Sequence, residues 1–275
     1  MHRHDPASDR APVRTALLLA AGLGSRLAPF TDALPKCLVS MSGVPILERL
    51  VRALDSHGFE RLVIVTGYKA ETIRDYLGES FGGIAIEYIV SPLFETTNNI
   101  YSLWLTRHLI DEPFLLVESD VVFDEPLLAP LLQADRIAVS RQLPWMGGTT
   151  VTLDGDGNVN AFYPQPPGVY GQHCTDADHF MAVNICSLAR DTWGAVCERL
   201  DRHVAAGRTG FFYESVFEEM AAAGSMAPAA VIFPSERWYE VDTPADLEAA
   251  ELLFPRHLPG PGGSEQRTLS DGAAE

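Results

Sequence analysis

The sequence predicts an α/β protein with a doubly wound, mostly parallel sheet and a small β-rich addition in its second half. Three observations carry that expectation. The run from Thr15 to Ala21 is continuously apolar and gives way to Gly22 and Gly24, as in a strand buried on both faces of a parallel sheet. Strand and helix signals then alternate as far as Asp120. Beyond it the rhythm changes to strands of hairpin type, around the DGDGN turn at 154–158.

Taken in order, Pro45 opens an amphipathic helix with Ile46, Leu47, Leu50, Val51 and Leu54 on one face and Gly58 as its stop. A strand follows at 61–66, a helix at 71–77, a strand at 84–90, a helix at 100–109 and a strand at 114–118. In the second half, strands are expected at 136–141, 149–153, 159–163, 178–188 and 229–233, with helices at 191–205 and 213–223. Thr243 is placed to N-cap a last helix, with Pro244 in its first turn, running to about Phe254.

At 275 residues and 47% hydrophobic content the chain can bury one substantial core, so a single domain is expected over 13–255. The polar stretch 1–12 and the Pro/Gly-rich stretch 256–275 are expected to be disordered tails. No secretory core or bilayer-length apolar run occurs, which predicts a cytoplasmic protein without a membrane partner. A net charge of −17 disfavours nucleic acid as a partner, because phosphate neutralisation requires a basic surface. A homodimer is left open as the assembly. Cys37, Cys174, Cys186 and Cys197 form no CxxC pair, and the eight histidines show no clear metal-ligand spacing. Ser-His-Asp order, HExxH and GxSxG are all lacking, which leaves little support for a hydrolase.

The glycines after the first strand mark a phosphate loop, since backbone N–H groups there approach an anion unobstructed. It is not a Walker A loop, which ends in Gly-Lys-Ser/Thr, and a dinucleotide fingerprint is disfavoured by Leu27 and by Pro29. Lys36 and Lys69 are the only lysines in the chain, so a lysine close to that loop is informative. The strand 114–118 ends in Glu118-Ser119-Asp120, placing carboxylates at the carboxyl edge of the sheet, where open α/β folds bind ligands. If 238–242 is extended, Glu240 and Asp242 share a face and can share a cation. Glu118 is the weaker candidate, because in a continuing strand it points away from Asp120.

The segment around these glycines resembles the signature LxxAAGxGxRLxPxTxxxPKxL of the nucleotidyltransferases that activate sugar phosphates and phosphocholine. It is matched by Ala20, Ala21, Gly22, Gly24, Arg26, Leu27, Pro29, Thr31, Pro35, Lys36 and Leu38. The resemblance implies a Rossmann-like, GT-A-like nucleotidyltransferase fold and covers roughly residues 14–125 and 236–254. It also implies that Leu19, Ala20, Ala21, Gly22, Gly24, Ser25, Arg26 and Lys36 bind the triphosphate, with Arg26, Lys36 and Asp120 acting in catalysis. Mg²⁺ is the implied cofactor, held by Asp120 and by the later segment through Glu240 and Asp242.

The stretch from Thr97 to Leu105, TNNIYSLWL, resembles bacterial phosphocholine cytidylyltransferases and their phosphonate-activating relatives, which makes CTP the expected nucleotide. Asn98, Asn99 and Ser102 are then candidates for the base or ribose, helix capping being their other reading. The acceptor is expected to be a small phosphomonoester or phosphonate bound by the part at roughly 136–234. Arg141 is its candidate phosphate partner, and Trp145, Tyr213 and Trp238 are candidates for surrounding a cationic end. The alternatives are a sugar-1-phosphate nucleotidyltransferase using UTP, GTP or dTTP, and a regulatory protein that binds nucleotide without turnover.

Overall fold

The computed structural model describes residues 12–143, 146–164 and 178–255; Trp145 and both expected tails lie outside the described residues. The first half runs β1 (Thr15–Ala20), a glycine loop, the short β2 (Ser40–Met41) and β3 (Val44–Pro45), α1 (Ile46–Ser56), β4 (Arg61–Thr66) and α2 (Ala70–Leu77). It continues through β5 (Ser80–Phe81), β6 (Ile84–Val90), α3 (Asn99–Leu105), β7 (Phe114–Glu118) and β8 (Val121–Phe123). β1 is buried at all its positions because it lies between parallel β4 and β7, with β6 beyond β4. Its uninterrupted apolar character follows from having neighbours on both edges and helices on both faces.

The second half adds β9 (Arg136–Arg141), β10 (Thr150–Leu153), β11 (Val159–Tyr163), β12 (Phe180–Leu188), α4 (Arg190–Ala205), α5 (Glu214–Ala222), β13 (Ala229–Phe233), β14 (Trp238–Glu240) and α6 (Pro244–Leu253). β12 joins the halves. Its last residues pair antiparallel with β7, while its other edge carries β9 and its start meets β10. The sheet order is β11-β10-β12-β7-β1-β4-β6-β5, with β9 and β13 branching from β12. The sheet is therefore parallel where the alternation predicted it and mixed where the hairpins begin.

Two apolar layers cover the sheet. One packs Leu47, Leu50, Val51 and Leu54 of α1, with Ile73 and Leu77 of α2, against Leu18 and Ile64. The other packs Trp193 and Leu200 of α4, with Val216 and Phe217 of α5, against Leu17, Leu19 and Leu116. A third cluster gathers Leu27, Val39, Met41 and Ile46 with Val241, Leu247 and Phe254, fastening α6 beside the glycine loop.

The expected elements recur with three differences of consequence. α3 stops at Leu105 rather than 109, because Thr106 turns its hydroxyl and its N–H back onto the Leu103 carbonyl, at 2.8 and 3.1 Å. Pro45 is extended and pairs with Ser40, so the helix begins one residue later. The β12–β9 register shifts between Ala182 and Cys186 around Asn184, whose φ is +59°. Asparagine tolerates that left-handed conformation better than most residues, and the bulge interrupts the side-chain alternation there.

Thr243 N-caps α6 as expected and does so within a capping box: the Thr243 hydroxyl accepts from the Asp246 N–H at 3.2 Å, and the Asp246 carboxylate accepts from the Thr243 N–H at 2.8 Å. Thr243→Ala removes one half of that box, and a stability loss of about 1 kcal/mol is expected. A shift of the urea midpoint at unchanged m-value measures it; a midpoint equal to that of the parent protein would show the cap to be idle.

Candidate active site

The site begins where β1 ends. Gly22 is exposed, and a Cβ there would meet no atom within 4 Å, so the backbone lies open to a ligand. Gly24 is needed for a different reason. It is left-handed at φ +63°, and a Cβ would come within 3.0 Å of Lys36 Cβ and 3.1 Å of Thr31 Cγ2. The loop then tightens into a 3-10 turn at Ser25–Leu27 that buries Leu27 and leaves Arg26 at the surface. A second turn at Lys36–Leu38 buries Cys37 and Leu38, which aims the intervening stem of Lys36 inward. Leu19, Ala20 and Ala21 are buried in the sheet layer, so only their backbone can meet a nucleotide.

The carboxylates come from two distant segments closed by backbone. β14 runs antiparallel to β8 with Glu240 opposite Val121, and the Val241 N–H donates to the Asp120 carbonyl at 2.9 Å. That ladder sets Asp120, Glu240 and Asp242 together, each offering one oxygen within 4.8 Å of the others. Lys36 Nζ bridges two of them, at 2.7 Å from Asp120 Oδ2 and 2.5 Å from Asp242 Oδ1. Arg26 reaches Asp242 Oδ1 at 2.9 Å from the solvent side.

Burial alone would lower the Lys36 pKa, but the charges and hydrogen bonds of Asp120 and Asp242 outweigh it and hold the ammonium above its usual range. Burial and the neighbouring Asp120 and Asp242 charges push Glu240 well above the carboxylate range, more than Lys36 and Arg26 pull it down. Asp120 Oδ1 is buried with no hydrogen-bond partner among the described residues. Three hard oxygen donors, one orphaned and one destabilised by its like-charged neighbours, fit a divalent cation such as Mg²⁺.

These groups open onto a cavity of about 320 Å³ whose far wall belongs to the second half of the chain. Trp238 forms part of the wall, and its buried indole N–H has no hydrogen-bond partner among the described residues. Arg141 is exposed at the end of β9 and does not line the cavity. Tyr213 is not in the wall but buried, edge-on to Phe217 at 5.2 Å between ring centroids, and its hydroxyl is hydrogen-bonded to Glu118. Glu118 departs from expectation: the strand ends at Glu118 and the chain turns at Ser119-Asp120, so Glu118 and Asp120 both line the cavity.

The asparagines are engaged within the protein. Asn98 caps α3, its side-chain oxygen accepting from the Asn99 N–H at 2.8 Å. Asn99 donates to Glu118 Oε1 and accepts from the Tyr213 N–H, each at 2.9 Å. Ser102 is buried. Among the lining residues not singled out from the sequence are the polar Asn184 and Glu214. Glu214 could have been flagged, as a lone carboxylate within the apolar FFYESVF.

Residues 15–142 match the family model described as nucleotidyl transferase. The chain is 34% identical over 273 residues to CMP-5'-(3-aminopropyl)phosphonate synthase of Streptomyces rubellomurinus, an alignment covering 95% of this chain and 41% of that protein. It is 30% identical over 127 residues to choline-phosphate cytidylyltransferase of Streptococcus pneumoniae, covering 46% of this chain and 54% of that one. The chain thus spans about half the length, or less, of these curated relatives. In fold it is similar to the solved CTP:phosphocholine cytidylyltransferase from Streptococcus pneumoniae, with a TM-score of 0.75 at 19% identity over 88% of this chain and 99% of that one. A UDP-glucose pyrophosphorylase is also similar, with a TM-score of 0.70 at 16% identity over 87% of this chain and 97% of that one. Residues 15–142, which carry the signature loop and Asp120, are thus similar to the nucleotidyl transferase family, and the chain shares its fold with the solved cytidylyltransferase.

Proposed function

We propose that this protein transfers CMP from CTP to a small phosphonate or phosphomonoester on a short chain, with release of pyrophosphate. The observation that carries the reading is Lys36 held between Asp120 and Asp242 beside an open glycine loop. That places fixed positive charge and a cation-binding carboxylate set at the carboxyl edge of the sheet, where a triphosphate would lie. The nucleotide and acceptor class are supported by the relatives, named for CMP-aminopropylphosphonate synthesis and choline-phosphate cytidylyl transfer.

In the reaction an acceptor oxygen attacks the α-phosphorus, a new P–O–P linkage forms and the α–β anhydride bond breaks. The acceptor oxyanion is itself the nucleophile, so no side chain need be acylated or phosphorylated. Open backbone amides at Gly22 and the Arg26 guanidinium would hold the β and γ phosphates. Lys36, kept protonated by its two carboxylate neighbours, would stabilise charge developing at the reacting phosphoryl group. Magnesium held by Asp120, Glu240 and Asp242 would supply charge neutralisation and orientation at the α-phosphate. The wall of the cavity would position the acceptor for in-line attack.

Retention of the cations and carboxylates in one place argues against a nucleotide-binding regulator without turnover. A matrix of nucleoside triphosphates against phosphocholine, aminoalkylphosphonates and glucose 1-phosphate, read by pyrophosphate release and phosphorus NMR, tests the proposal. Highest kcat/KM for glucose 1-phosphate with UTP, GTP or dTTP would replace it with the sugar-nucleotide reading.

Lys36→Met is expected to lower turnover by about 10²–10³-fold with the circular dichroism spectrum unchanged. Lys69→Met should leave turnover near that of the parent protein, since Lys69 packs over the Tyr68 ring, 5.4 Å from its centroid. Near-parental turnover in a folded Lys36→Met enzyme at saturating substrates would remove this residue from the mechanism. Excess chelator is expected to abolish activity and Mg²⁺ to restore it. Asp120→Asn and Asp242→Asn should each lose most of it, through loss of a ligand charge. Undiminished turnover in chelator would exclude the cation.

A further inference from the structure

The wall of the cavity carries a second acidic pair that nucleotidyl transfer does not use. Glu118 ends β7, Glu214 begins α5, and both line the cavity. Glu214 is 7% exposed, and its Oε2 has no hydrogen-bond partner among the described residues. Its other oxygen accepts a long hydrogen bond, 3.5 Å, from the Thr149 hydroxyl. Asn99 sits between the two acids, donating to Glu118 Oε1 at 2.9 Å and hydrogen bonding to Glu214, while the Tyr213 N–H fixes its own amide oxygen.

The charge of this pair is not balanced within the described protein. Lys36 is committed to Asp120 and Asp242, Arg26 contacts Asp242, and no lysine or arginine pairs with Glu118 or Glu214 among the described residues. Burial pushes Glu214 up to about 7. Leaving a buried carboxylate oxygen without donor or counter-charge is costly, so such a group in a cavity wall calls for a ligand that supplies both. The three-acid group able to share a metal ion is Asp120, Glu240 and Asp242, which includes neither member of this pair.

We propose that Glu214, with Glu118 and the bridging Asn99, binds a primary ammonium group on the acceptor, at the end opposite its phosphonate or phosphate. The inference rests on the reading of the chain as a cytidylyltransferase for such acceptors. A hydroxyl would donate a hydrogen bond but leave the charge of the pair uncompensated. A trimethylammonium group would bring charge but no N–H, so Oε2 of Glu214 would stay unpaired. A primary ammonium offers three donors and a positive charge together, and Met181, Phe212 and Trp238 in the same wall surround the short alkyl chain that carries it. Glu214 is thus a specificity-determining residue rather than a catalytic one.

The test compares 3-aminopropylphosphonate with n-butylphosphonate, its methyl-ended equivalent, and with phosphocholine, using CTP and the full chain. The parental enzyme is expected to show kcat/KM at least tenfold higher for 3-aminopropylphosphonate than for either alternative. Glu214→Gln should raise KM for the ammonium acceptor at least tenfold while leaving KM for CTP and the butylphosphonate rate unchanged. A parental preference below tenfold overturns the proposal, as does a folded Glu214→Gln enzyme that loses all acceptors alike. Should the variant fail to fold, the parental preference decides alone. Transfer of CMP to butylphosphonate as efficient as to the ammonium acceptor would sink the ammonium site and leave the cytidylyltransferase reading standing. No CMP transfer to any of the three would sink both.

Discussion

One ammonium between two carboxylates organises this molecule. Lys36 is brought to Asp120 and Asp242 by three separate pieces of chain: a turn anchored by Cys37 and Leu38, the end of β7, and the segment after β14. Removing both carboxylates would leave a buried cation, and removing the lysine would leave two like charges side by side; either is expensive in a partly desolvated setting. The backbone bond from Val241 to Asp120 makes the arrangement geometric as well as electrostatic. The capping box of α6 then holds the residue next to Asp242, so the packing of a C-terminal helix determines where a carboxylate beside the glycine loop stands.

The parallel half of the sheet was legible because burial on both faces writes itself as unbroken apolar runs such as TALLLA and RLVIVT. The loop cations and the Asp120, Glu240 and Asp242 set were legible for a related reason. The carboxylates sit at or just beyond strand ends, where polar residues stand out against an apolar run, and the cations lie in a loop whose order a motif fixes. What the sequence left hidden depends on where chains meet. Glu118 is the weaker metal candidate in a continuing strand and lies outside the three-acid group, but the turn at Ser119-Asp120 breaks the alternation and brings both acids to one cavity. Asn184 projects from a bulge whose register shift exists only because β12 must serve both β7 and β9.

Aromatic residues misled more than carboxylates did. Tyr213 is as rich in cation-binding surface as Trp238, but one is in the core against Phe217 and the other is in the cavity wall. Composition cannot separate them, since an aromatic ring in the core and one in a wall are both surrounded by apolar neighbours. A lone carboxylate is more informative because burial without a partner is costly enough to demand an explanation. Glu214 in FFYESVF, one of whose buried oxygens has no hydrogen-bond partner among the described residues, is such a case.

The two halves of the site follow different physical rules, which explains why one resembles so many proteins and the other so few. A triphosphate and its cation are recognised by backbone amides, fixed charges and a few carboxylates, all tied to sheet geometry. The same fold therefore accommodates a phosphocholine enzyme and a UDP-glucose enzyme with TM-scores of 0.75 and 0.70. In the proposed reaction the acceptor would meet side chains on β12, α5 and the segment before β10, together with Glu118 and Asn99 from the parallel half. The family match ends at residue 142, just after β9, so the part of the cavity wall that comes from the second half of the chain lies beyond it. The proposed ammonium site would draw on both sides of that boundary, with Glu118 and Asn99 before it and Glu214 after it.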